Sequence, residues 1–437
     1  MEEEKKESML LRNLSFATLL LAGILMLWRS SDVQPPEQQL EKLKHEQIDF
    51  TFRALVSQSV SLKTNPQYAA QAGDLVGEVQ SLCSEMKDSP YAQLQCAMLL
   101  EYLGEDFSGR VGVQGKLEEQ FTDLYVNAKP ISDQSEIFKV PAGRLALLKQ
   151  YELLGQAANK DELVEQLQSE ALEFQAWAVL FIAGAVFAIL LGILFVTLAV
   201  LKKPVPHFGF TVLGLPRGHL RVLLEATILY FFMIAALLPI LGRYIPDFYH
   251  MTYLAVSYVL LLIGVLVYVQ QQTSGAALYA IIGDLRTSSL RQIGIGIMGF
   301  CAIFPLGLLT AMPFLLTLQG DNMVNQAHPI AFLSKEHFFM VAILAAVIAP
   351  VIEEVVFRGF LYGFLRGYLS PVMAATVNGF LFAVIHPQGA AALPHLFILG
   401  TGLCLLREYN RSLLPSIVVH MVSNGLLMVG MYFLKGF

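Results

Sequence analysis

Within the last ninety residues of this 437-residue chain, five ionisable side chains and the amide of Asn424 stand inside strongly apolar runs. Glu353, Glu354 and Arg358 lie in AVIAPVIEEVVFRGF, His386 ends NGFLFAVIH, and His420 and Asn424 lie in SIVVHMVSN. An ionisable group at bilayer depth costs at least ~2.5–3.5 kcal/mol on insertion scales, so by default it marks function. A carboxylate can take a proton from water, an imidazole can assist it, and donors from another helix can meet a developing negative charge. That combination suits hydrolysis without a covalent intermediate.

Helical spacing sorts these residues. Glu354 and Arg358 are i,i+4 neighbours with the acid N-terminal, the favourable order for an ion pair. Glu353 is turned about 100° from its neighbour and has no charge partner at i+3 or i+4, which leaves it as the free carboxylate and candidate general base. His420 and Asn424, also i,i+4, point into one space. Pro350, three residues before Glu353, is expected to kink its helix and free a backbone carbonyl near the site. The depths agree as well: Glu354 is twelve residues from Arg366, His386 sixteen from Ser370, and His420 nine from Arg411. At about 1.5 Å per residue all three sit roughly 14–24 Å into a ~30 Å slab, so they must face one another rather than lipid.

The three motifs, Glu353-Glu354-x-x-x-Arg358, Phe382-x-x-x-His386 and His420-x-x-x-Asn424, resemble those of the CPBP family of CAAX proteases and bacteriocin-processing enzymes, which includes the Ras-converting prenyl-protein endopeptidase. The resemblance covers roughly the last 230 residues and leaves residues 1–172 outside it. It implies that Glu353 and His386 activate a water for attack on a peptide carbonyl, and that His420 and Asn424 stabilise the oxyanion. Glu354 and Arg358 then support the site, and Phe382 packs one turn from His386. It also implies a membrane-associated protein or peptide substrate, prenylated in some organisms, and glutamate chemistry without a cofactor.

The elements that must hold these residues follow from composition. The chain is 55% hydrophobic and only 15% charged, and its charged residues crowd into the first 170 positions. We expect an all-α fold: a polytopic transmembrane bundle of about nine spans with an N-terminal soluble helical domain. Residues 1–29 read as a signal anchor around the apolar segment 9–28, which lacks a small-x-small cleavage pattern at its end. Residues 30–172 read as a soluble, mainly helical domain, and residues 173–437 as the membrane-embedded peptidase-like domain. Further spans are expected at about 176–201, 220–242, 252–270, 291–318, 338–366, 371–386, 391–406 and 413–434, the short ones open to merging or re-entry. Lys202, Lys203, Arg217, Arg221, Arg286, Arg291, Arg366, Arg407 and Arg411 fall in alternate loops, which the positive-inside rule assigns to the cytoplasm. The N-terminus is then cytoplasmic and residues 30–172 extracytoplasmic, as in a bacterial cell membrane. Cys83 and Cys96 flank the Asp88-Ser89-Pro90 break between two helices, where a disulfide and two free thiols are both open readings.

Rival functions are a non-proteolytic scaffold, regulatory or immunity protein of the same family, with a protein partner for residues 30–172, and a proton-coupled transporter. A net charge of −6 offers no basic face for nucleic acid. Glu353, His386 and His420 could also ligate zinc, although no His-Glu-x-x-His is present.

Overall fold

Apolar runs long enough to span a bilayer can satisfy their backbone there only as helices or closed barrels, and here they are helices. A computed structural model describes residues 37–64, 69–105, 115–202, 217–245, 249–273, 278, 281–283, 289–315, 335–386 and 390–434. These residues contain no strand, only an isolated antiparallel bridge between Gly283 and Ser412. The expected anchor at 1–29 lies outside the described residues. The chain divides into two compact units, Glu37–Gly184 and Ala185–Met431.

The first unit is built from α1 (Glu37–Thr64), α2 (Ala69–Glu85), α3 (Pro90–Leu103), α4 (Gly143–Leu153) and the first part of α5 (Ala157–Lys202). Its core holds Phe52, Val56, Val60, Val79, Leu94, Met98 and Leu145, which recur at helical spacing along their elements. The Asp88-Ser89-Pro90 break behaves as its residue types dictate: Ser89 caps α3, its side chain accepting from Ala92 N at 3.3 Å, and Pro90 takes the first helical position. The turn places the Cα atoms of Cys83 and Cys96 5.9 Å apart, and the two are joined in a disulfide that closes a 13-residue separation. Both cysteines are buried. A loop of this length contributes about 3 kcal/mol when closed. The double Cys83→Ser/Cys96→Ser variant should lose about that much stability, and alkylation followed by intact-mass measurement should find neither thiol reactive until reductant is added. Two alkylated thiols without reductant would rule the bridge out.

Among the described residues, five helices are long and apolar enough to cross a membrane: Gly218–Gly242, Thr252–Thr273, Ser289–Pro313, Phe338–Arg366 and Leu414–Tyr432. They coincide with five of the expected spans. The expected spans at 176–201 and 371–386 correspond to the shorter apolar stretches Ala183–Leu198 and Pro371–Val384. The elements that matter for the site are α6 (Arg217–Phe232), α7 (His250–Thr273), α8 (Ser289–Leu315), α9 (Lys335–Ile343), α10 (Ala349–Glu353), α11 (Tyr362–Arg366), α12 (Pro371–Val384), α13 (Leu393–Asn410) and α14 (Leu414–Leu434). Ser370 caps α12 with Pro371 at its first position, repeating the device that starts α3.

α12 and α13 approach so closely that a Cβ on Gly400 would stand 2.9 Å from Gly379 Cα, so neither position has room for a side chain. Glu225 on α6 is tied to two neighbouring side chains. It pairs with Arg221 at 2.7 Å and accepts from the Tyr268 hydroxyl at 2.6 Å.

Candidate active site

The rod from α9 to α11 is α-helical only in part. Leu344–Ile348 and Glu354–Leu361 are π-helical, with i→i+5 bonding, and they bracket the short α10 that ends on Glu353. Pro350 explains the use of the first π turn. Ala349 N–H bonds Leu344 O, so the next carbonyl, Ala345, awaits an N–H that residue 350 does not have. Asn424, from α14, donates its Nδ2 to Ala345 O at 2.9 Å. The carbonyl that the sequence expected Pro350 to free is therefore taken by an amide from another helix.

The second π stretch carries the ion pair. Arg358 Nη1 lies 2.9 Å from Glu354 Oε1, both side chains fully buried. Sequence spacing treated this pair as self-sufficient, and the structure adds three further partners. His420 Nδ1 lies 2.9 Å from the same Oε1, Arg358 Nη2 donates to Gly400 O at 3.2 Å, and the guanidinium stacks 4.4 Å over the Phe382 ring. A buried charge is tolerable only with such partners.

Phe382 is fully buried and meets both imidazoles, Phe357 and the Arg358 guanidinium. Its ring centroid is 4.3 Å from that of His386, 5.6 Å from His420 and 5.1 Å from Phe357. Its carbonyl lies 2.5 Å from His386 Nδ1. A carbonyl can only accept, so Nδ1 carries the proton and the neutral ring presents a bare Nε2. The same logic applies to His420, whose Nδ1 faces an ion-paired carboxylate.

Both Nε2 atoms turn toward Glu353. Its Oε2 lies 3.8 Å from His386 Nε2 and 3.7 Å from His420 Nε2, too far for a direct hydrogen bond. That oxygen is buried and has no hydrogen-bond partner. Glu353 thus remains the free carboxylate, as the helical spacing predicts, and two imidazoles aim their acceptor atoms at it. The structure brings Glu353, Glu354, Arg358, Phe382, His386 and His420 into one cluster, while the Asn424 amide bonds the helix that precedes Glu353. Among the described residues, no group of three or more His, Cys, Asp and Glu side chains is arranged to hold a metal ion.

Asn378 escaped the sequence reading. It is fully buried on α12, donates to Phe357 O at 2.9 Å and accepts from the Cys404 thiol at 3.2 Å, tying the π stretch to α12 and α13. Its signal was present: an amide inside an apolar run, four and eight residues before Phe382 and His386, on the same helical face.

A free carboxylate with one buried oxygen and two oriented imidazoles thus stand together among apolar helices, an arrangement chemically able to bind and deprotonate a water. Residues 335–426 match the family model described as type II CAAX prenyl endopeptidase Rce1-like. The match is to the CAAX protease family that the three motifs resemble, and it contains every one of their residues; it spans about a fifth of the chain. Comparison with curated proteins and with solved structures found no match.

Proposed function

We propose that the chain is an intramembrane endopeptidase that hydrolyses a peptide bond of a membrane-associated, prenylated protein or peptide, using a water activated by Glu353 and His386. The observation that carries this reading is the unpartnered Glu353 Oε2, faced at 3.7 and 3.8 Å by two Nε2 atoms whose rings are fixed from behind. Two acceptors converging on one point, Glu353 Oε2 and His386 Nε2, suit a species that brings two protons of its own, and a water does so. Glu353 takes one proton as the water oxygen bonds the carbonyl carbon, and His386 Nε2 accepts a hydrogen bond from the other. The carbonyl π pair moves to oxygen. On collapse the carbon–nitrogen bond breaks, and the proton held by Glu353 passes to the leaving amine.

His420 and Asn424 stand on the oxyanion side in this scheme. Asn424 keeps a second N–H beyond the one given to Ala345, and His420 offers a donor at Nε2 when its ring carries both protons. Glu354 and Arg358 hold His420 in position, and Phe382 holds Arg358 and both imidazoles. The family match favours proteolysis over the scaffold and transporter readings. We further infer that the Glu37–Gly184 unit faces an oxidising, extracytoplasmic compartment, a placement supported by the Lys/Arg asymmetry and by the Cys83–Cys96 bridge.

The direct test is cleavage of a fluorogenic prenylated peptide ending in a CAAX sequence by the full chain reconstituted in liposomes. Release of the C-terminal fragment supports the reading, and an inert protein of intact fold returns the scaffold reading. The zinc alternative is decided separately. Elemental analysis of protein purified without added metal should find well under one equivalent. Stoichiometric zinc, lost together with activity on chelation and restored by zinc, would replace the carboxylate base with a metal-activated water.

A further inference from the structure

Two carbonyls flank Glu353 along its rod, and each is held by an amide from another helix. Ala345 O, eight residues before Glu353, accepts from Asn424 at 2.9 Å, and Phe357 O, four residues after it, accepts from Asn378 at 2.9 Å. Each carbonyl belongs to one of the two π stretches. π turns are rare and concentrate at functional sites. Each amide also stands close in sequence to one of the imidazoles that face Glu353. Asn424 follows His420 by four residues on α14, and Asn378 lies on α12, eight residues before His386.

The Asn378 amide is fixed at both ends. A carbonyl can only accept, so Nδ2 faces Phe357 O, and the Cys404 thiol on α13 donates to Oδ1 at 3.2 Å. Phe357 O already accepts from Tyr362 N–H through an i→i+5 bond, and the amide takes its second lone pair. Ring contacts also join the rod to α12: Phe357 meets Phe382 edge-on at 5.1 Å, and Arg358 lies 4.4 Å over the Phe382 ring. Such contacts tolerate sliding, whereas a hydrogen bond sets distance and angle. His386 travels with α12, because its N–H bonds Ala383 O at 3.3 Å and its ring is held by the Phe382 carbonyl. The Asn378–Phe357 bond therefore sets how α12 sits along the rod. With it goes the 3.8 Å gap between Glu353 Oε2 and His386 Nε2.

We propose that Asn378 is a positioning residue for water activation, acting through His386. The inference rests on the peptidase reading above and adds to it a residue that touches neither water nor substrate. A water shared by Glu353 and His386 must lie within hydrogen-bond reach of both, and a displacement of about 1 Å costs on the order of 10²-fold in rate. The loss falls on the chemical step, so it should appear in kcat rather than KM.

The experiment uses the full chain in liposomes and the fluorogenic prenylated CAAX peptide. Asn378→Ala and Asn378→Leu are made in the parent and in the His386→Ala background and compared at matched folded concentration. Alanine deletes the amide and leaves a small cavity, whereas leucine deletes the polar atoms and fills the space. Each change should lower the parental kcat roughly 10–10²-fold, with KM within about threefold. In His386→Ala no imidazole remains to be aligned, so the same changes should lower the residual single-turnover rate by less than about threefold. A packing role predicts the same factor in both backgrounds, and that result overturns the inference. Where the His386→Ala rate is below detection, Tm decides: a loss of kcat at parental Tm in either variant supports the inference, and losses that track Tm in both overturn it. An active parent whose two variants keep kcat within about threefold, or of which neither variant folds, overturns this inference alone. A parent that cleaves nothing overturns the peptidase reading and this inference with it.

Discussion

Glu353→Gln should reduce cleavage of the reconstituted prenylated peptide by roughly 10²–10⁴-fold, the range expected for loss of a general base, while leaving the fold at parental stability. The stability half of this expectation comes from the geometry. Glu353 Oε2 makes no hydrogen bond, and the two imidazole nitrogens that face it lie beyond hydrogen-bond distance. Glutamine keeps the volume and replaces an oxygen that nothing in the ground state holds, so the folded state loses no partner. The water, by contrast, loses the one acceptor able to take its proton. His386→Ala should fall in the same direction, because a bare Nε2 fixed by the Phe382 carbonyl disappears with the ring. The comparison must be made at matched folded concentration. Parental cleavage by Glu353→Gln would sink the water-activation scheme.

How far the sequence announced this site depends on which physical signal each residue carries. Charge in an apolar run is costly and therefore conspicuous, so Glu353, Glu354, Arg358, His386 and His420 could be named without a structure. The i,i+4 rule then paired Glu354 with Arg358, and the ion pair is present at 2.9 Å. The same rule failed to show that His420 shares the acid's oxygen, because a contact between residues 66 positions apart follows from tertiary packing alone. Asn424 was legible as an intramembrane amide, but its bond to Ala345 depends on a π turn that spacing arguments built on 3.6 residues per turn do not contain. Pro350 was the one hint of it. Among the spans, long runs such as 220–242 and 413–434 coincide with helices able to cross a bilayer, whereas 371–386 yields a shorter helix, Pro371–Val384. Hydropathy reports how apolar a stretch is, and Ser370-Pro371 and the turn after Val384 decide how long its helix runs.

Glu354→Gln should behave unlike its neighbour, costing about 3–5 kcal/mol of stability, because removing one partner of a buried pair leaves the other charge uncompensated. Arg358 is fully buried, and its other contacts include a carbonyl at 3.2 Å and the faces of two aromatic rings, none of which carries a formal negative charge. The activity of this variant should fall too, for two reasons that a single substitution confounds: the fold is weaker, and His420 loses the acceptor that fixes its tautomer. The double variant Glu354→Met/Arg358→Met separates them. Replacing both partners of a buried pair by apolar side chains of similar volume is often neutral or stabilising, so the double variant should recover most of the lost Tm. It should not recover activity, because His420 Nδ1 still faces no carboxylate and Nε2 is no longer held toward Glu353. Thermal unfolding and cleavage, measured side by side on the parent, the single variant and the double variant, give the decision. A Glu354→Gln protein with parental Tm would show that Arg358 does not depend on this carboxylate. A double variant with both Tm and kcat restored would show that Glu354 serves the fold alone and has no part in aligning His420.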